Sequence, residues 1–171
     1  MFGFFFFLLI TTVVVFLIKT VNWLPLAFQH DTLRRYNSID EVKTALRIKN
    51  VYVPAYFPQT ISWPPSGIVA QSKPSLAIMM TFLRSGSNEE SLVITQSASN
   101  VFAREPGLRL IKIAETAPYK LHNRDALLEV GSCRNEEMCS RITWQEGEYR
   151  LAVIMKAPPF ELIRIAGSML H

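Results

Sequence analysis

The residues best suited to nucleophilic or metal chemistry in this chain are three histidines, His30, His122 and His171, and two cysteines, Cys133 and Cys139. The histidines stand far apart, and none falls at a spacing that pairs a nucleophile with a base or sets two ligands on one helix face. Cys133 and Cys139 with His122 could supply three zinc ligands, but the five residues between the cysteines exceed the common two-to-four-residue knuckle. The same short separation suits a disulfide that closes a hairpin loop in an oxidising compartment. Glu89-Glu90 and Glu136-Glu137 fall in expected turns, where solvation is the ordinary role of paired carboxylates. Seven glycines cannot assemble a phosphate-cradling loop or a dinucleotide fingerprint. The spacing therefore suggests no enzyme class, and no catalytic residue, metal or cofactor is expected.

Charge narrows the partners further. The net charge is +4, yet the 18 Lys and Arg residues are spread without a run of three and alternate with acidic residues. That pattern argues against nucleic acid as a partner. A length of 171 residues accommodates one domain and a short appendage.

The appendage is visible at the start. Residues 2–18 carry no charged side chain, and as a helix they would reach about 26 Å, nearly the thickness of a bilayer core. Phe4, Phe5, Phe6, Phe7, Leu8 and Phe16 would face lipid or partner helices. Lys19 can extend its ammonium into the headgroups while Trp23 settles at the interface, and Pro25 ends the helix. The alternative is a cleaved signal peptide, but a basic leader and a small-x-small cleavage site before Phe28 are both missing. The sequence thus divides into a transmembrane anchor (1–28), a polar stalk (29–37) and a soluble domain (38–171), with the lipid bilayer as the first partner. Two signals disagree on the side of the membrane. Lys19, Arg34 and Arg35 follow the helix and place the domain in the cytoplasm by the positive-inside rule, whereas a disulfide requires the outside.

Within the soluble part, Ser38-Ile39-Asp40-Glu41 is a capping box opening a short helix over 39–48, with Ile39, Val42 and Leu46 on its apolar face. Strands are expected near 50–53, 67–72, 75–84, 91–97, 108–116, 124–131, 139–145 and 148–156. The links Ser85-Gly86-Ser87-Asn88 and Glu146-Gly147 are short enough to require antiparallel pairing. Pro158-Pro159 stops the last strand, and residues 160–170 have the spacing of a closing helix that packs Leu162, Ile163 and Ala166 on the sheet. The expected fold is α+β: one curved antiparallel sheet of about seven or eight strands, covered by helices on one face and open on the other.

Three stretches carry a resemblance: 51–58 (Val-Tyr-Val-Pro-Ala-Tyr-Phe-Pro), 91–96 (Ser-Leu-Val-Ile-Thr-Gln), and 142–151 with 161–168. Together they resemble a bacterial domain found in membrane-anchored proteins and at the C-terminus of some transmembrane anti-sigma factors. In outline that domain is similar to periplasmic lipoprotein carriers and to the periplasmic regulator of the envelope-stress sigma factor. The resemblance spans roughly residues 40–170 and implies an extracytoplasmic half-barrel without catalysis. It offers no catalytic residue to carry over, and the cytoplasmic sigma-binding part of an anti-sigma factor has no counterpart in this sequence.

The aromatic residues have two readings each. Trp144 and Tyr149 flank the Glu-Gly turn as cross-strand neighbours, either packing a hairpin or flooring a ligand cleft. Tyr56, Phe57 and Trp63, among four prolines, form either a partner surface or an ordered connection along a sheet edge. The function expected from these features is a membrane-anchored, extracytoplasmic binding or sensing domain that meets lipid, lipoprotein or another membrane protein. An accessory structural subunit of a larger membrane complex is the alternative.

Overall fold

The computed structural model describes residues 11–16, 19, 33–99 and 106–170, and the chain divides into two compact units, Met1–Thr32 and Leu33–His171. In the first unit, residues 11–16 are helical and Phe16 is 68% exposed. Among the described residues no helix is long and apolar enough to cross a membrane; most of the expected 2–18 span lies outside them.

The second unit is an α+β fold built on one eight-stranded antiparallel sheet, in the order β1-β2-β3-β4-β8-β7-β6-β5. Its strands are β1 (Leu33–Tyr36), β2 (Gly67–Gln71), β3 (Ala77–Leu83), β4 (Glu90–Ser97), β5 (Lys112–Leu121), β6 (Arg124–Ser132), β7 (Met138–Glu146) and β8 (Tyr149–Met155). Two four-stranded meanders, β1 to β4 and β5 to β8, meet where β4 pairs with β8. Short links join β2 to β3 to β4 and β5 through to β8, whereas residues 37–66 separate β1 from β2, and Gly147 supplies the positive φ (+58°) that closes the β7–β8 turn.

Side-chain alternation assigns the two faces. Ile78, Met80 and Phe82 of β3, Leu92 and Ile94 of β4, Ile142 and Trp144 of β7, and Leu151 and Val153 of β8 point to one face and form the larger core. Helix α2 (Pro159–Gly167) buries Leu162, Ile165 and Ala166 in that core, with Pro159 in its first turn as expected. Helix α1 (Ile39–Leu46) adds Val42 to the same cluster. Its start is built as the capping box requires: Ser38 Oγ accepts from the Glu41 N–H at 3.1 Å, while the Glu41 carboxylate reaches one residue further back, to the Asn37 N–H at 2.8 Å.

Four features differ from the sequence expectation. Leu33–Tyr36, placed in the polar stalk, pairs with β2 as an edge strand. Its two arginines hide it, because charge suits a short edge as well as a linker. Residues 50–53 are extended but join no ladder; buried Gln96 takes the place of a neighbouring strand, accepting from the Tyr52 N–H (3.1 Å) and donating to the Asn50 carbonyl (3.0 Å). The strand expected at 108–116 lies at Lys112–Leu121, running through Pro118. Proline is tolerated there because β5 is the outermost strand and needs no donor on its free side. Finally, Trp144 stands opposite Leu151 and Tyr149 opposite Glu146, so the two aromatics are not directly paired. Tyr149 instead meets Tyr52 edge-on, with ring centroids 6.4 Å apart.

Candidate ligand trough on the open face of the sheet

The opposite face carries a much smaller apolar cluster: Val69, Met79, Val93 and Ile154 from the strands, with Leu108 and the two cysteines. Cys133 and Cys139 are paired with a Cα–Cα separation of 5.7 Å, across the connection from β6 to β7. His122, the third candidate zinc ligand, sits in the β5–β6 turn beside Gly167 of α2. Among the described residues no group of His, Cys, Asp or Glu is placed to hold a metal ion.

Beyond that cluster the register lays out the face as rows running across the strands. One row is Val93, Ile154, Arg141 and Glu129; the next is Thr95, Ala152, Thr143 and Leu127; a third is Ser97, Arg150 and Gln145. Rows two residues apart along a strand lie roughly 7 Å from one another. The middle row has only small side chains at Thr95, Ala152 and Thr143, between the long arginines of the two flanking rows. A trough results, with a floor of hydroxyls and one methyl group. Two cavities open into it, of about 270 and 560 Å³, and both are lined by Ser97, Thr143 and Arg150.

The polar groups of the trough differ in how well they are satisfied. Arg141 grips Glu129 through two parallel bonds, Nε to Oε2 at 2.6 Å and Nη2 to Oε1 at 2.9 Å. The pair is held by the β6–β7 register, which sets the two residues directly opposite, and the Glu129 side chain is only 8% exposed. This bidentate geometry fixes the guanidinium plane. Thr95 Oγ1 donates to the Ala152 carbonyl at 3.4 Å, and Ser97 Oγ donates to the Ser99 carbonyl. Arg150 is also engaged within the protein. Thr143 is the exception: it is 9% exposed, lines both cavities, and its hydroxyl has no hydrogen-bond partner among the described residues. That hydroxyl borders both cavities and stays within reach of water, whereas the one buried side-chain polar atom without a partner among the described residues is Trp144 Nε1, on the closed face.

The residues singled out from sequence are dispersed. Phe4, Phe5, Phe6, Phe7, Leu8 and Trp23 lie outside the described residues. The trio Tyr56, Phe57 and Trp63 divides in two. The Tyr56 hydroxyl donates to Glu161 (3.0 Å), and its ring lies under the Arg164 guanidinium at 4.3 Å, both on α2. Burial and the bond to Glu161 raise its phenol pKa above the ordinary value. Phe57 and Trp63 pack with buried Phe82, their centroids 5.2 and 6.2 Å from its ring, and Trp63 stays 54% exposed. Tyr56 and Phe57 therefore serve the closed side of the sheet. Sequence reasoning missed the trough residues; the one available signal was the Thr/Ser residues Thr95, Ser97 and Thr143 at alternate positions of strands that also carry the apolar core residues Leu92, Ile94 and Ile142.

Comparison of the chain with protein-family models, with curated proteins and with solved structures returns no match.

Proposed function

We propose that this protein is a non-enzymatic binding or sensing domain, held at a membrane by its N-terminal apolar segment and facing the extracytoplasmic side. The observation that carries the reading is the asymmetry of the sheet. One face is filled by helices and apolar side chains, while the other presents a polar trough whose floor residue Thr143 makes no side-chain hydrogen bond among the described residues. A hydroxyl that faces an open cavity can exchange its water for a polar group of a ligand at little cost. The uncharged run of residues 2–18 supports attachment to a bilayer, and the Cys133–Cys139 pair supports an oxidising compartment. The bacterial membrane-anchored domain resembled by residues 40–170 agrees with both.

The test is native purification of the full chain in mild detergent, beside an Ala152→Trp variant that fills the trough, with co-eluting lipids and proteins identified by mass spectrometry. A substoichiometric ligand recovered with the wild type and lost from the variant is the expected outcome. Recovery in fixed stoichiometry with a large membrane assembly, unchanged by Ala152→Trp, would replace this reading with that of a structural subunit.

A further inference from the structure

The trough lies over β4, β8, β7 and β6, each of which has a neighbour on both sides. Their backbone N–H and C=O groups are committed to the sheet, so a ligand cannot be held here by adding a strand, the usual way an extended peptide is recognised. Recognition must pass through side chains. The floor offers a Thr143 hydroxyl able both to donate and to accept and a Thr95 hydroxyl that, donating to the Ala152 carbonyl, can still accept, with the Ala152 methyl as a low point between them. This arrangement complements a molecule that itself carries neighbouring hydroxyls and presents a flat, partly apolar ring.

Each flanking row adds a guanidinium, and in the first the Glu129 carboxylate is paired with it. Arg141 stands on one side of the floor and Arg150 on the other, and no carboxylate is among the described residues lining the 270 Å³ cavity between them. Asp125 and Glu148 border only the outer, larger cavity. Glu129 occupies Nε and one Nη2 proton of Arg141. The remaining guanidinium donors are thereby held in a fixed plane and have no other partner among the described residues. A guanidinium locked in this way by a buried carboxylate is preorganised to receive a second oxyanion on its free edge.

We infer that the ligand of this trough is an oxyanion-bearing carbohydrate, a sugar acid or a sugar phosphate, with its ring over Ala152, a ring hydroxyl on Thr143 and its anionic group at Arg141. This inference rests on the binding function proposed above and names the chemistry of its ligand.

Saturation-transfer NMR on the full-length protein in nanodiscs, with digalacturonate, glucose 6-phosphate and neutral maltotriose as probes, tests it. Saturation is expected for one or both anionic probes, weakening as salt is added, and not for maltotriose. The better of the two anionic probes assigns carboxylate or phosphate. A Thr95→Val/Thr143→Val variant keeps the shape of the floor and removes its hydroxyls. It is expected to weaken binding roughly tenfold without unfolding, as loss of hydrogen bonds to a polar ligand does. Equal saturation of maltotriose and the anionic probes, or anionic binding unchanged by the double variant, overturns the inference. The two levels of failure separate: if Ala152→Trp sheds the co-purified ligand but no anionic sugar binds, only the ligand chemistry is wrong. If Ala152→Trp keeps that ligand, the trough itself is not the site.

Discussion

The two faces of this sheet are made by the same strands, residue by residue in alternation, yet they are built to different ends. On the closed face the inward positions of β3, β4, β7 and β8 are mostly apolar, the polar Gln96 and Ser140 are hydrogen-bonded to backbone, and α2 seals the layer. On the open face the same strands contribute Val93 and Ile154 at one end but Thr95, Ser97, Thr143 and Arg150 further along. Apolar burial stabilises the fold by roughly 25 cal/mol per Å² removed from water, so the first face is where stability resides. A face of hydroxyls and guanidinium groups buries less apolar surface and so adds less to folding. Under the binding function proposed above, stability and binding would fall on opposite sides of one layer, so that either could vary without the other.

The largest expected effect contrasts one residue from each face. Phe82 is fully buried and packs against Phe57 and Trp63, so Phe82→Ala should destabilise the fold by about 3–5 kcal/mol through lost burial and the cavity left behind. Thr143→Val, nearly isosteric and already without a hydrogen bond, should fall within about 0.5 kcal/mol of the wild type. Denaturant unfolding followed by circular dichroism measures both. A Thr143→Val penalty comparable to that of Phe82→Ala would mean that the open face is core after all.

The second effect concerns what keeps the open face in place where it is covered. Cys133 and Cys139 are six positions apart in sequence and sit in the small cluster with Val93, Leu108 and Ile154. Closing so short a loop constrains the unfolded chain by about 2 kcal/mol. A Cys133→Ser/Cys139→Ser variant should therefore lose about that much stability in the same unfolding measurement. The disulfide closes the β6–β7 hairpin at one end only, and the trough rows are held as well by the β4–β8 and β7–β8 ladders, so the anionic probe should still bind. Loss of binding with the disulfide would show that the two ends of the open face are coupled, and would sharpen the comparison from two faces to two halves of one face.

How much of this was legible in advance follows from which interactions are local. Strands β2, β3, β4, β6, β7 and β8 and both helices were readable because alternation, the Ser38 cap, Gly147 and Pro159 act within a few residues. The disulfide was readable because it closes a hairpin. Leu33–Tyr36 was not, because an edge strand with two arginines has the composition of a linker, and residues 50–53 misled because their hydrogen bonds go to the Gln96 side chain rather than to a strand. The trough was illegible for a stronger reason. Thr95 and Ala152 are 57 residues apart and become neighbours only because β4 pairs with β8 across the join of the two meanders. No local pattern encodes that pairing. Glu129 opposite Arg141 was within reach, since both belong to one hairpin, but only once its register was known.

The smallest expected effect lies at the rim, where the meanders are pinned by charge rather than by packing. Lys156 Nζ bonds Glu89 of the β3–β4 link and Glu137 of the disulfide loop, both at 2.7 Å, with only 16% of its side chain exposed. The bonds to Glu137 and then Glu89 raise the Lys156 pKa, and the bond from Lys156 lowers that of Glu89 against the opposing effect of desolvation. A lowered carboxylate contributes stability above its unfolded pKa and loses it as pH falls through the folded value. A raised ammonium contributes below its unfolded pKa and loses it as pH rises through the folded value. The pin is therefore intact from just above the ordinary carboxylate range up to the ordinary lysine range and weakens on either side. Lys156→Met should flatten both limbs of a plot of thermal midpoint against pH and lower its neutral plateau by a matching small amount, because pairs near the surface contribute little. If the plateau instead dropped as far as it does for the disulfide variant, the pin would join the disulfide as a principal support of the covered end of the open face. The contrast between a face held by packing and one held by a single covalent staple would then fail.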